Sequence, residues 1–467
     1  MTMNRRQFTR GFLSTGATAS LAFTGLMKST AALAAANQSI QSPPAYGPLI
    51  ADPNGVLDLP KGFTYHVISR AGDKMSDGLI TPSAFDGMGC FDLGDGKIAL
   101  VRNHELSERN IKHSAFGGAN TADINCYDRM TDGGAILPGG TSTLVYDTKT
   151  KTVTNSYLSL AGTIRNCAGG ITSWGSWLTC EETMIKAGDK VTKDHGWVFE
   201  VPAKHTGLVD PKPLKAMGRF NHEAAAVDPE TGTVYMTEDR NESLFYRFIP
   251  TVKGDLAQGG KLQALALDTS EPQEKADTRN WSKTTFTPQS WAKTRWIDLE
   301  DIESPKDDLR FQGAKKGAMI FARGEGLHYG VNGDTGKGEF YFCCTSGGAA
   351  KLGQIMRYIP GDQGNNQGGK IQNFVESTSK DMMNFGDNLT VAPNGHLMVC
   401  EDQYDRVVTN HIRGVTPKGA TYPFAFTKLQ TEFAGACFSP DGSTLFVNLY
   451  HPGQTLAITG PWDKFKA

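Results

Sequence analysis

The stretch NHEAAAVDPETGTVYMTEDR (221–240) places acidic side chains at both ends of a foldable pair of apolar runs. Glu223 opens the first run, Asp228-Pro229-Glu230-Thr231-Gly232 reads as a turn, and Glu238 with Asp239 closes the second run. Similar runs elsewhere open on Asp86, Cys167, Glu325 and Asp387. Their second runs end in Asn103 and Glu105, Glu181 and Glu182, and Glu401 and Asp402. Carboxylates gathered this way raise one another's pKa values and cannot all ionise unpaired. Bound cations resolve the conflict. Oxygen ligands suit Ca²⁺, which takes six to eight of them, whereas a thiolate at Cys167 suits iron or zinc. The pattern predicts a mixed cluster, with a transition metal at Cys167 and harder cations beside it. Glu223, Glu325 and Asp387 are the ring-facing candidates, and Glu105, Glu181, Glu238 and Glu401 the outer ones. His104 and His222 precede Glu105 and Glu223, and strand alternation assigns them a supporting role.

Arg323 adds a cation. It lies two residues before Glu325, so alternation puts both on one side of a strand. An Arg beside a metal cluster grips phosphate by paired, charge-assisted hydrogen bonds. Arg323, Cys167 and Glu325 are therefore the catalytic candidates, with Arg323 also binding substrate. The chemistry this set suits is metal-assisted phosphoryl transfer to water.

Such convergence needs a scaffold that aims many strand ends at one point. Six copies of the unit recur, at 85–105, 166–183, 221–240, 322–348, 385–403 and 433–453. Each has a special residue beside Gly or Ala, an apolar run, a turn and a second run. Repeated β units of this size predict an all-β fold, a six-bladed β-propeller with inserted loops. STLVYDT (142–148) and LFYRFIP (244–250) read as outer strands. Ala257 to Lys306 reads as a polar insertion or lid, and 358–372 as a looser loop. The sixth copy offers only Gly435 at its start, which predicts a gap for substrate access.

The 467 residues are 39% hydrophobic and 21% charged, with a net charge of −2. That balance gives no case for nucleic acid or an anionic membrane as partner. Asn4-Arg5-Arg6-Gln7-Phe8 precedes an apolar, Ser/Thr-diluted stretch and a small-x-small site at Ala32-Leu33-Ala34. Residues 1–34 thus read as a twin-arginine export signal and 35–467 as a single propeller domain, periplasmic or secreted after passage through the twin-arginine translocase. No later segment is long enough for a stable membrane anchor, and a monomer is expected. The eight cysteines show no C-x-x-C pair, and Cys180, Cys343 and Cys400 read as buried free thiols.

The motifs LVRNHE, NCAGG, GRFNHEAAAVD, VYMTEDR, YRFIP, PNGHLMVCED and FAGACFSPDG, spread in order from about residue 80 to residue 462, resemble the PhoX-type alkaline phosphatases. The resemblance implies a six-bladed propeller exported by the twin-arginine route. It also implies a phosphomonoesterase with two ferric (Fe3+) and three calcium (Ca2+) ions around a bridging oxo group. On that likeness Cys167 is the thiolate ligand of iron, Glu223, Glu325 and Asp387 bind iron, calcium or both, and Arg323 meets the phosphate of a small phosphate-ester substrate. Glu105, Glu181, Glu238 and Glu401 fall to calcium, in competition with Glu182, Asp239 and Asp402. Two other functions fit the acidic ring: a calcium-dependent propeller lactonase or phosphotriesterase, which needs no thiolate, and a calcium-stabilised non-catalytic scaffold.

Overall fold

His222–Val227 and Val234–Glu238 pair antiparallel across the Asp228–Gly232 turn, where Gly232 supplies the left-handed φ of 76°. The computed structural model describes residues 45–121, 123–333, 335–361 and 367–464; the export-signal reading at 1–34 lies outside them. Within them the chain is nearly all β, with one short α-helix at Leu309–Lys315.

The hairpin at 222–238 is one of six. The inner strands are Phe85–Gly94, Asn166–Ile171, His222–Val227, Gly324–Val331, Gly386–Val391 and Phe433–Phe438. Each pairs antiparallel with the strand that follows it, and further strands extend each sheet outward. Each inner strand also touches the inner strand of the next unit, and the last, Phe433–Phe438, touches the first, Phe85–Gly94. The six therefore close a ring, the arrangement of a propeller. Thr64–Arg70 completes the sixth sheet by pairing with Gln454–Thr459, so an early strand joins a late one.

Apolar side chains fill the space between neighbouring sheets. Ala99 and Val101 of the first unit meet Trp177 and Phe199 of the second. Tyr235 and Phe245 of the third meet Phe340 and Phe342 of the fourth, and Met398 and Ile412 of the fifth meet Leu445 and Val447 of the sixth. Each such side chain contributes about 1.5–3 kcal/mol on burial, so the sheets hold one another edge-on and face-on around the axis.

Two expectations for the connecting segments are corrected. The stretch Ala257 to Lys306 is not a lid throughout. Asp255–Leu267 is the outer strand of the third unit, and Trp291–Asp298 bridges it to Gln367–Glu376, fusing the third and fourth units into one nine-stranded sheet. Lys261 and Lys293 are exposed on these two strands, each of which is paired on both sides. The segment 358–372 likewise carries strand ends, Gln354–Ile359 and Gln367–Glu376.

Candidate metal centre

Every inner strand carries a β-bulge, at the same point in five units and one residue later in the sixth. The register slips between Phe85 and Met88, Asn166 and Gly169, His222 and Ala225, Gly324 and Leu327, Gly386 and Leu389, and Ala434 and Cys437. A bulge turns a side chain that would face a neighbouring sheet toward the axis. The residues turned are Asp86, Cys167, Glu223, Glu325 and Asp387; the matching residue of the sixth unit, Ala434, still pairs with Asn448. The residue after each is small or compact, which lets the inner strands converge: a Cβ on Gly87 would come within 2.6 Å of Ala168 Cα, and one on Gly326 within 2.6 Å of Asn388 Cα.

A second tier follows from one recurring backbone bond. The first residue beyond each second strand donates its N–H to the residue two before the bulged one: Glu105 to Ala84, Glu182 to Arg165, Asp239 to Asn221, Thr345 to Arg323, Asp402 to Phe385 and Tyr450 to Glu432. The six donors form the second tier and the six acceptors a third. Four third-tier residues, Ala84, Arg165, Arg323 and Phe385, have left-handed φ of 49–57°. Backbone of that kind costs roughly 1–3 kcal/mol and clusters at functional sites.

The side chains of these tiers meet. Four groups each hold ligand atoms within 4.8 Å of one another: Asp86, Glu105 and Cys167; Cys167, Glu182 and Glu223; Glu223, Glu325 and Asp387; Asp387, Asp402 and Glu432. Consecutive groups share Cys167, Glu223 and Asp387, so together they run around the ring. Burial and mutual repulsion hold Asp86, Glu223, Glu325 and Glu432 well above the usual carboxylate range. Burial and Asp402 push Asp387 up to about 7. Burial, opposed by Arg165, takes Glu182 up to about 8. Burial, with Asp86 and Glu223 beside it, pushes the Cys167 thiol well up. Two guanidiniums do not balance this much acid, so the donor set fits multivalent cations, with oxygen donors all round and one sulfur.

Arg323 spans two tiers. Its Nε and Nη2 donate to the two oxygens of Asp239 at 2.7 and 2.8 Å, and Nη2 also reaches Glu325 Oε1 at 3.0 Å. Its Nη1 donates to the Tyr404 hydroxyl at 3.2 Å. Arg165 holds the same place in the second unit, donating from Nε and Nη2 to Glu105 Oε1 at 2.9 and 2.8 Å and bonding Glu182.

The ring residues are fixed from behind, unit to unit. Asn103 donates to the Cys167 and Ala168 carbonyls at 2.9 and 2.8 Å, Thr237 to the Glu325 carbonyl at 2.6 Å, and Asn448 to the Asp86 carbonyl at 2.6 Å. Asn388 donates to Asp387 Oδ1 and accepts from Gly435 N–H. On the axis beyond the bulges lies a cavity of about 420 Å³ walled mainly by apolar groups such as Met88, Leu327 and Phe438. Among the described residues no carboxylate lines it; those of the ring gather at the other end.

Of the residues singled out by sequence, Cys167, Glu223, Glu325, Asp387, Glu105 and Arg323 meet here. Glu181, Glu238 and Glu401 do not; their carboxylates turn into the sheets. Glu181 accepts from the Ile164, Gly196 and Trp197 N–H groups and bonds His195 at 2.6 Å. Glu238 takes the Tyr246 hydroxyl at 2.7 Å, and Glu401 takes Arg413, His411 and the Asn384 N–H. Their neighbours Glu182, Asp239 and Asp402, one residue past the strand ends, face the ring instead. His104 and His222 also face inward to their own sheets, bonding Ser142 and the Gly218 carbonyl. The sixth unit's equivalent of Asp86 is Ala434 rather than Gly435. The same unit is not without acid, because Glu432 supplies a carboxylate from the third tier. Glu432 stands two residues before Ala434, the offset that Arg323 has from Glu325, and aligning the six copies on that offset would have found it.

A propeller-like ring that converges buried carboxylates and one cysteine, with an arginine at its edge, defines a metal-dependent enzyme. The chain belongs to the alkaline phosphatase PhoX family, whose model matches residues 44–453, and it is a phosphatase on that ground. In fold it is similar to the structure of Pseudomonas fluorescens PhoX in complex with vanadate, a transition-state analogue, with a TM-score of 0.62, 18% identity, and coverage of 88% of this chain and 97% of that one. A gluconolactonase from Xanthomonas campestris, XC5397, aligns at 13% identity and a TM-score of 0.41 over 90% of this chain and 99% of that one. No curated protein matches the chain in sequence.

Proposed function

We propose that the ring is the catalytic centre of an exported phosphatase that hydrolyses small phosphate monoesters with iron and calcium. The four overlapping groups of donors within 4.8 Å carry this reading. Cys167, with Glu223, Glu325 and Asp387, would hold ferric iron, since it is the one sulfur donor in the ring. Asp86, Glu105, Glu182, Asp239, Asp402 and Glu432 would hold calcium, all through oxygen. Bound there, the metals would polarise the phosphoryl oxygens and lower the pKa of water for attack.

The chain's own residues divide the remaining work. Arg323 binds the phosphate. Asp239 fixes the orientation of its guanidinium by a two-point hydrogen bond, while Tyr404 flanks its Nη1. Burial acts against the charge of Arg323, and Glu325 and Asp239 more than reverse this, so it stays protonated as charge grows on the equatorial oxygens. Asn103, Thr237 and Asn448 orient ring residues through their backbone carbonyls, and Asn388 orients Asp387 by donating to its Oδ1. The small residues after each bulge let the inner strands converge on the axis. The Xanthomonas lactonase likeness is too remote to favour the alternative, and the presence of Cys167 in two of the four donor groups favours the phosphatase.

The export signal at 1–34, the periplasmic or secreted location and a monomeric state belong to the same reading. They rest on the twin-arginine pattern at Arg5-Arg6 and on the likeness to the family. Among the described residues no helix is long and apolar enough to cross a membrane. The test is hydrolysis of p-nitrophenyl phosphate, measured with metal content, before and after chelation. Loss of activity with loss of metal supports the reading, and a metal-free protein of undiminished activity contradicts it.

A further inference from the structure

We propose that a cleft at the seam of the first and sixth units is a leaving-group subsite for phosphate monoesters whose organic part carries a second anionic group. This deepens the phosphatase reading and rests on it. The cleft encloses about 520 Å³ and shares a wall with the ring. That wall is Glu105 and Tyr450, both second-tier residues, joined by the Tyr450 hydroxyl donating to Glu105 Oε2 at 2.8 Å. The lining also holds Lys112, His113 and His451, the last with its ring 4.6 Å from that of Tyr450.

Three basic side chains around one cleft stand out beside a ring made of acid. Glu105 is the one acidic residue in the lining, and its oxygens are taken by Arg165 and Tyr450. Among the described residues Lys112 forms no ion pair, and neither do His113 and His451. Glu108, on the same short 3₁₀ helix as Lys112, engages Lys190 at 2.9 Å and Arg109 instead. The cleft therefore offers the Lys112 ammonium and two imidazole hydrogen-bond donors, and its one carboxylate, Glu105, is already bonded by Arg165 and Tyr450. A substrate whose phosphate sits on the ring extends its organic part past Tyr450. A neutral alcohol gains little there. A carboxylate or second phosphate finds charge-assisted hydrogen bonds, and the cleft draws it away from the ring's acidic rim. The geometry thus selects phosphorylated hydroxy acids and bisphosphates over simple alkyl phosphates.

The probe is a matched pair, 3-phosphoglycerate and glycerol 3-phosphate, which differ by a carboxylate against a hydroxymethyl group. The full chain is assayed with both at low salt, as wild type and as the Lys112→Ala, His113→Ala, His451→Ala triple variant. All three side chains are exposed, so the fold tolerates their removal. The ratio of kcat/KM for the acid over the alcohol is above one in the wild type and falls about tenfold in the variant, and raising salt lowers it in the wild type alone. An equal ratio in both proteins overturns the subsite while leaving the phosphatase reading intact. A wild type that cleaves neither ester, with its metals bound, overturns both.

Discussion

Arg165 and Arg323 occupy the same position in two of the six units, each two residues before a bulged ring residue and each with left-handed φ, 49° and 56°. Arg165 ties Glu105 to Glu182, and Arg323 ties Asp239 to Glu325. Their settings differ in one respect. The Arg165 side chain is 40% exposed and Arg323 23%.

The more enclosed arginine is the one expected to grip phosphate. Arg323→Ala lowers kcat/KM by about 10²-fold, on the scale of removing one preorganised donor to a developing anion. Arg323→Lys restores only part of this, because an ammonium cannot span Asp239 and the substrate at once. Arg165→Ala has the smaller effect. Steady-state kinetics on p-nitrophenyl phosphate checks the order, and an unaffected Arg323→Ala enzyme contradicts it.

Neighbouring acids separate two roles. Glu181→Gln removes the charge that faces His195 and replaces one of two acceptor oxygens by an NH2 donor set against buried N–H groups, and lowers stability by about 3 kcal/mol, read as the denaturation midpoint. Glu182→Gln lowers metal content and activity with a much smaller change in stability of the metal-free protein. The two phenotypes exchanged would place the ring on the wrong side of the strand end.

These pairs also show where sequence reasoning stopped. The six copies, their turns and the first-tier residues were visible as a recurring pattern of apolar runs. The bulges were not, and a bulge plus a ring residue one step beyond the strand end decides which of two adjacent acids faces the axis. Glu105 escaped the ambiguity because His104 leaves only one acid there. Glu182, Asp239 and Asp402 did not, since each follows another acid or lies beside one. Glu432 was hidden because the sixth unit shifts its carboxylate to the third tier. The closing strand Thr64–Arg70 was hidden too, because its alternation is weak and its partner lies nearly four hundred residues on.

Metal-free protein is expected to weaken as pH rises. Glu182 and Asp387 have folded pKa values of about 8 and 7, above the ordinary carboxylate range they have when unfolded. The unfolded chain thus gives up these protons first, and stability falls from about pH 4 toward pH 8. Thermal melts of chelated protein at pH 5 and pH 8 read this directly, and adding calcium raises the pH 8 midpoint. A metal-free protein more stable at pH 8 contradicts the crowding of charge on which the site depends.

His195 gives a dependence of the same sign, in a more alkaline window and on a separate network. Burial alone would lower it, but Glu181 and Asp128 hold it up to about 9. Its contribution is fully present below about pH 6.5 and is lost as pH rises through 9. Asp128→Asn therefore costs most stability below pH 6.5 and least above pH 9, measured by denaturant titration across that range.

The central claim is that the ring is an iron and calcium centre. Elemental analysis of purified protein, paired with its visible spectrum and its phosphatase activity for wild type and Cys167→Ser, tests it most directly. The account predicts stoichiometric iron with calcium, a thiolate-to-iron absorption band, and loss of iron, band and activity together in Cys167→Ser. Colourless, iron-free protein that still hydrolyses p-nitrophenyl phosphate, unchanged by the Cys167 substitution, would contradict it.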